Sequence, residues 1–196
     1  MKTELYLIRH GETTWNAERR FQGHADIPLS TDGINQAKRL GKYLLNQTID
    51  VVYASDLMRA YQTAQHVAVL HGLKVNKTAH FRERNVGEWE GLTIDELSSR
   101  FPDWEQVSPH GGTYGVEKTV DVEKRMVDQL NQIVTNNTGK RIVIVSHGMA
   151  LNVLLTGILG ESQKQRIQNT SITHLIHSAS SGYTLLRLNQ IDHLQN

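Results

Sequence analysis

The sequence predicts an α/β fold built on one mainly parallel sheet, and three observations carry that prediction. Short apolar runs rich in Val, Ile and Leu alternate along the chain with stretches whose apolar residues recur at helical spacing, the pattern of strand–helix–strand units. The runs Leu5–Ile8 and Arg141–Val145 are too uniformly apolar for strands with one wet face, so helices are expected on both sides of them. The 196 residues suffice for one well-buried domain and are short for two, and no repeat, low-complexity tract or Pro/Gly/Ser linker divides them. A single domain over residues 1–196 is therefore expected.

Taken in order, Leu5–Ile8 is the first strand. Ser30 or Thr31 caps a helix whose Ile34, Ala37, Leu40 and Leu44 share a face. Asp50–Ala54 is the second strand, and a helix from about Leu57 to His71 follows, ended by Gly72. A third strand is expected within Val75–Phe81. Thr93 and Glu96 have capping-box spacing and open a short helix. Another helix fills Glu117–Val134, and Arg141–Val145 is the clearest strand of all. Met149–Leu159 is an apolar helix closed by Gly160, and Ile172–Ile176 with Tyr183–Leu188 form a hairpin or edge strands.

Composition narrows the function. At 38% apolar and 21% charged residues, the chain has the makeup of a soluble globular protein, not a disordered one. A formal net charge of +1 offers no field for a polyanion, so no nucleic-acid partner is expected. The absence of cysteine rules out disulfides, thiolate catalysis and cysteine-ligated metals, and makes the cytoplasm the default location. No signal-peptide core precedes the first strand and no apolar run approaches a membrane span, so no membrane partner is expected either.

The informative feature is a grammar shared by three strand ends. The first strand runs into Arg9-His10-Gly11, the second into Ser55-Asp56 with Arg59 in the next helical turn, and Ile144-Val145 into Ser146-His147-Gly148. In an open parallel sheet the carboxyl ends of the strands lie on one edge, where ligands bind. Two arginines and two histidines should therefore meet. That set suits phosphate: arginine forks match phosphoryl oxygens, and histidine serves as nucleophile, acid or charged donor near neutral pH. The helix opening near Leu57 is expected to add backbone donors, and Gly11 and Gly148 to let backbone approach the ligand. Singly, each residue has a bland alternative, a solvated arginine, a structural histidine or a turn glycine. The coincidence of three ends carries the reading.

Around these residues the chain resembles the histidine phosphatase superfamily in its phosphoglycerate mutase-like branch. The resemblance rests on Arg9-His10-Gly11-Glu12-Thr13 with Trp15-Asn16, and on Arg20-Phe21-Gln22-Gly23 with Asp26, Pro28 and Leu29. It extends to Ser55–Ala60 with Thr63-Ala64, to Arg82-Glu83 with Gly87–Gly91, and to Ser146-His147-Gly148. It implies a three-layer sandwich and a metal-independent phosphatase for small phosphorylated metabolites, similar to the broad-specificity or ribazole-phosphate phosphatases. It also implies the site. His10 is the nucleophile that becomes phosphohistidine. Arg9, Arg59 and a protonated His147 hold the phosphoryl oxygens, and Glu83 is the acid and then the base. Asn16, Gln22, Gly23 and Gly148 add contacts. Glu83 is selected over Glu88 and Glu90 only by its spacing to Gly87 and Trp89-Glu90-Gly91.

No cofactor and no metal is expected. His174 and His177 point to opposite faces of a strand, and His66 and His71 are poorly spaced on a helix for one ion. His24 is placed within reach of substrate, and the remaining histidines on the surface. Phosphatase activity is favoured over a cofactor-dependent phosphoglycerate mutase, because Leu92–Val120 carries only Arg100 and Lys118 as cations among several acids. A catalytically inactive phospho-ligand-binding module is the remaining alternative, disfavoured because the nucleophile and acid are both present. Gly111–Glu117 departs from the Gly-Glu-Ser of related phosphatases and leaves the contacts there open. The substrate and the oligomeric state, a homodimer included, are not specified by the sequence.

Overall fold

Six strands form one sheet in the order β3-β2-β4-β1-β5-β6 in a computed structural model that describes residues 1–160 and 166–195. In chain order the elements are β1 (Lys2–Arg9), α1 (Thr14–Ala17), α2 (Thr31–Leu44), β2 (Val51–Ser55), α3 (Met58–Ala68), β3 (Val75–Thr78) and α4 (Ile94–Arg100). There follow α5 (Trp104–Val107), α6 (Thr119–Asn136), β4 (Arg141–Ser146), α7 (Gly148–Leu159), β5 (Ile172–Ser178) and β6 (Gly182–Gln190). Strands β1 to β4 are mutually parallel, and β5 adds antiparallel to β1 with β6 as the outer edge.

Period-two alternation along the buried strands splits the core into two layers. Leu5, Leu7, Ile142 and Ile144 face α6 and α7, packing on Met126, Leu130, Leu151 and Leu154. Tyr6, Ile8, Val143 and Val145 face α2 and α3, packing on Leu40, Leu44, Ala64 and Val67. A separate apolar cluster of Val86, Trp89, Leu97, Phe101 and Val116 holds the segment between β3 and α6 together. This is the expected α/β sandwich.

The local signals place most boundaries. Ser30 caps α2 through the Gly33 amide at 3.0 Å. Thr93 and Glu96 form the capping box of α4. Gly72 and Gly160 end their helices at φ of 65° and 73°. β5 and β6 form the expected antiparallel hairpin, with β6 at the edge. Two details differ from expectation. The third strand stops at Thr78, where that side chain caps a short 3₁₀ turn. The four-residue helices α1 and α5 are too short to show a period.

Candidate active site

The register of the sheet builds the site. β1 pairs with β4 so that Arg9 lies opposite Ser146, and β4 pairs with β2 so that Val145 lies opposite Ala54. His10 and His147 therefore leave adjacent strands side by side, their ring centroids 5.1 Å apart. The His10 amide donates to the Ser146 carbonyl at 2.9 Å, which locks the two strand ends together.

Arg59 comes from the first turn of α3 and is fully buried. Its Nε donates to His147 Nδ1 at 3.2 Å, and its Nη1 and Nη2 donate to the Ala25 and Gly23 carbonyls at 2.7 and 2.9 Å. Those three bonds leave two guanidinium N–H groups over. Arg9 Nη1 donates to the Ile167 carbonyl at 2.8 Å, and its buried Nε has no partner among the described residues.

The histidine tautomers follow from their partners. His10 Nδ1 lies 2.6 Å from the Gly11 carbonyl, which only accepts, so Nδ1 carries the proton and Nε2 keeps its lone pair. His147 Nδ1 accepts from Arg59, so in the neutral ring Nε2 carries the proton. That nitrogen is buried without a partner among the described residues. Burial, and then the charges of Arg59 and Arg9, push His10 well below the ordinary histidine value. Burial, Arg59 and His10 do the same to His147. Burial and the two adjacent guanidinium groups thus disfavour the imidazolium form of His147. Burial lowers both arginines as well, to about 10, which leaves them charged at neutral pH.

A cavity of about 380 Å³ opens over this edge, lined by Arg9, His10, Asn16, Gln22, Gly23, Arg59, Glu83 and Gly148 among others. The structure thus brings these eight to one wall, while His147 sits behind His10 and Arg59 with no exposed surface. Glu83 takes hydrogen bonds from the Met149 and Ala150 amides at the start of α7, at 3.2 and 2.9 Å. Glu88 is exposed away from the cavity, and Glu90 is engaged by the His24 and Ala25 amides. Asn16 spends its carbonyl oxygen on the Thr13 amide, leaving its NH₂ for a ligand. Gln22 Oε1 is buried and has no partner among the described residues.

Three expectations change. The amide of Met58 at the start of α3 is taken by Asp26 Oδ1 at 2.5 Å, so that helix end neutralises a carboxylate instead of offering itself to phosphate. Gly11 is required by packing, since a Cβ there would lie 2.7 Å from the Gly33 carbonyl oxygen. His24 does not line the cavity. Its Nε2 meets the Glu83 carbonyl at 2.8 Å.

A histidine phosphatase superfamily (branch 1) model matches residues 5–191. The chain belongs to this superfamily. A curated relative, "Probable phosphoglycerate mutase GpmB" of Erwinia tasmaniensis, is 35% identical over 98% of this chain and 95% of its own. Among solved structures, Bacillus stearothermophilus YhfR superposes with a TM-score of 0.91 at 30% identity, covering 98% of this chain and all of that one. The phosphoserine phosphatase of Entamoeba histolytica, solved with phosphoserine, gives 0.84 at 32% identity over 98% and 99% of the two chains.

For a histidine phosphatase superfamily member the cavity holds more cations than the motifs show. Arg20, Arg84 and Arg166 also line it, and among the described residues Glu83 is the one acidic side chain on the wall. Arg20 is paired with Glu18 and Glu96 at 2.7 and 3.0 Å. Arg84, 2% exposed, donates Nε and Nη1 to the carbonyls of Glu117 and Ser108, and its buried Nη2 has no partner among the described residues. Arg166 is exposed and close enough to depress Arg9. Arg20 lay within a quoted motif, but nothing local in the sequence marks Arg84 or Arg166. Another miss is His193, expected on the surface and found 7% exposed, its Nε2 3.1 Å from Thr170 Oγ1.

Proposed function

We propose that this enzyme is a phosphatase that hydrolyses small phosphate monoesters through a phosphohistidine on His10. The observation that supports it best is the pairing of a neutral, tautomer-fixed His10 with unspent donors around it. His10 Nε2 attacks phosphorus in line as the bond to the leaving oxygen breaks. The remaining N–H groups of Arg59, the Nε of Arg9 and the orphaned His147 Nε2–H take the phosphoryl oxygens. Asn16 and Gln22 add polar contacts. Glu83 protonates the leaving oxygen and then removes a proton from the water that attacks phosphohistidine, releasing phosphate and restoring His10. The donor set is cationic, and among the described residues no three His, Asp or Glu side chains cluster as metal ligands do.

The cavity volume suits a metabolite-sized ester. Arg166, on the wall beyond the phosphoryl pit, fits a second negative group such as a carboxylate. The ester chemistry of the phosphoserine phosphatase points the same way. We take residues 1–196 as one unit, and place it in the cytoplasm on the absence of cysteine.

Quenching the enzyme with p-nitrophenyl phosphate in chelator-treated buffer tests the proposal. Mass spectrometry is expected to find one acid-labile phosphoryl group on His10, absent in His10→Ala together with turnover. Label on another residue, or turnover that needs an added divalent ion, would refute it. The second reading, a phosphoglycerate mutase, is favoured by the name of the Erwinia relative. Supplying 3-phosphoglycerate separates the two: a phosphatase releases inorganic phosphate, and a mutase forms the 2-isomer.

A further inference from the structure

Arg125 stands outside the cavity, on α6, yet three of its five N–H groups go to the segment that carries Glu83 and the other two to Glu117. Nε and Nη2 grip the Glu117 carboxylate at 2.8 and 3.1 Å. Nη1 donates to the carbonyls of His80 and Arg82 at 2.7 and 2.8 Å, and Nη2 also donates to the Glu83 carbonyl at 3.0 Å. Glu117 completes the clamp. Its Oε2 accepts from the Asn85 amide at 3.0 Å, and its own amide donates to the Asn85 carbonyl at 2.9 Å. One ion pair therefore ties down the backbone at positions 80, 82, 83 and 85.

The far end of Glu83 is held by a different element. Its carboxylate rests on the amides that open α7, and α7 packs closely on α6 at Gly157, where a Cβ would lie 2.9 Å from Glu123 Cγ. Backbone and carboxylate of Glu83 are thus both referenced to the α6–α7 pair. The Gly111–Glu117 segment, which departs from the related phosphatases, supplies the acid half of the clamp.

We propose that Arg125, paired with Glu117, is a positioning residue that sets the reach of the Glu83 carboxylate toward the leaving oxygen. The proposal rests on the reading of Glu83 as the acid. An arginine is needed because only a planar fork of five donors spans three carbonyls and a bidentate carboxylate. A lysine keeps the charge and stem and loses that geometry. Displacement of an acid by about 1 Å costs on the order of a hundredfold, and the cost falls on esters whose leaving group needs a proton.

The test compares Arg125→Lys, Arg125→Met and Glu83→Gln with p-nitrophenyl phosphate and an alkyl phosphate, folding being checked by circular dichroism. Arg125→Lys is expected to lose roughly tenfold to a hundredfold in kcat/KM with the alkyl ester, and no more than about threefold with the nitrophenyl ester. Arg125→Met, where it folds, shows the same bias more strongly. If it does not fold, Arg125→Lys alone decides. Equal loss on both esters, or none, in folded Arg125→Lys while Glu83→Gln keeps the bias overturns the positioning role and leaves Glu83 as the acid. Loss without bias in Glu83→Gln overturns both.

Discussion

His10 and His147 stay neutral because the same burial and the same two arginines act on each, and this has a cost at low pH. Their folded values lie well below the ordinary one of about 6.5. Above that pH both rings are neutral whether the chain is folded or not. As the pH falls below it, the unfolded chain takes up protons that the folded chain refuses. Stability should then drop by up to about 1.4 kcal/mol per pH unit for each histidine, until the folded values are reached. Urea melts between about pH 7.5 and 5.5 should show a shallower acid slope for His10→Asn or His147→Asn than for the wild type, and equal slopes would contradict the burial argument. A phosphate analogue such as vanadate should raise wild-type stability across this range, since a ligand that binds only the folded chain stabilises it.

The loop after β1 is set by the helix beneath it. The Glu12 carbonyl takes the Ser30 amide at 2.9 Å and the Ser30 hydroxyl at 3.2 Å, and the Glu12 amide is held by Gln36. Gly33, in the first turn of α2, lies so close that a Cβ would sit 1.9 Å from the Glu12 carbonyl oxygen. Helix propensity alone predicts that Gly33→Ala stabilises by about 1 kcal/mol. The contact predicts the opposite, a loss of roughly 2–3 kcal/mol, with lower kcat because Glu12 is two residues from His10. Asn35→Ala on the exposed face of α2 should stay within about 0.5 kcal/mol. Thermal melts of the two variants decide, and a stabilised Gly33→Ala would show that the loop yields. Such contacts are invisible in a linear sequence: Gly11 looked like a ligand-facing glycine because its partner is a glycine 22 positions away.

Across the whole molecule a formal charge of +1 hides a concentrated field. Among the described residues, five arginines and one carboxylate line one cavity. Arg9 and Arg59 serve the phosphoryl group in our reading, Arg84 is buried with its Nε and Nη1 on carbonyls, and Arg20 is paired with two acids. Arg166 is the one assigned to the rest of the substrate. Arg166→Ala should therefore raise KM by roughly tenfold, about 1.4 kcal/mol, for phosphoserine or 3-phosphoglycerate, and change p-nitrophenyl phosphate little. The wild-type KM for the carboxylate-bearing esters should also rise with salt while the variant responds less. An equal effect of Arg166→Ala on all esters would mean that Arg166 contacts only the phosphoryl group or the protein.

Sequence alone determined the α/β class, the main helices and strands, and the meeting of Arg9, His10, Arg59 and His147. Those features are written in local periods and in strand ends, and a parallel sheet gathers its strand ends by construction. Glu83 was marked by spacing within a motif, with no physical signal to separate it from Glu88 and Glu90. Tertiary structure decided what depends on contacts between distant segments. It turned Glu83 to the cavity on the amides of α7, gave the α3 terminus to Asp26, buried His193 under Thr170, and brought Arg84 and Arg166 to the wall. It also left both histidines uncharged. Charge state and reach are set by three-dimensional distance and dielectric, and neither quantity has a period along the chain.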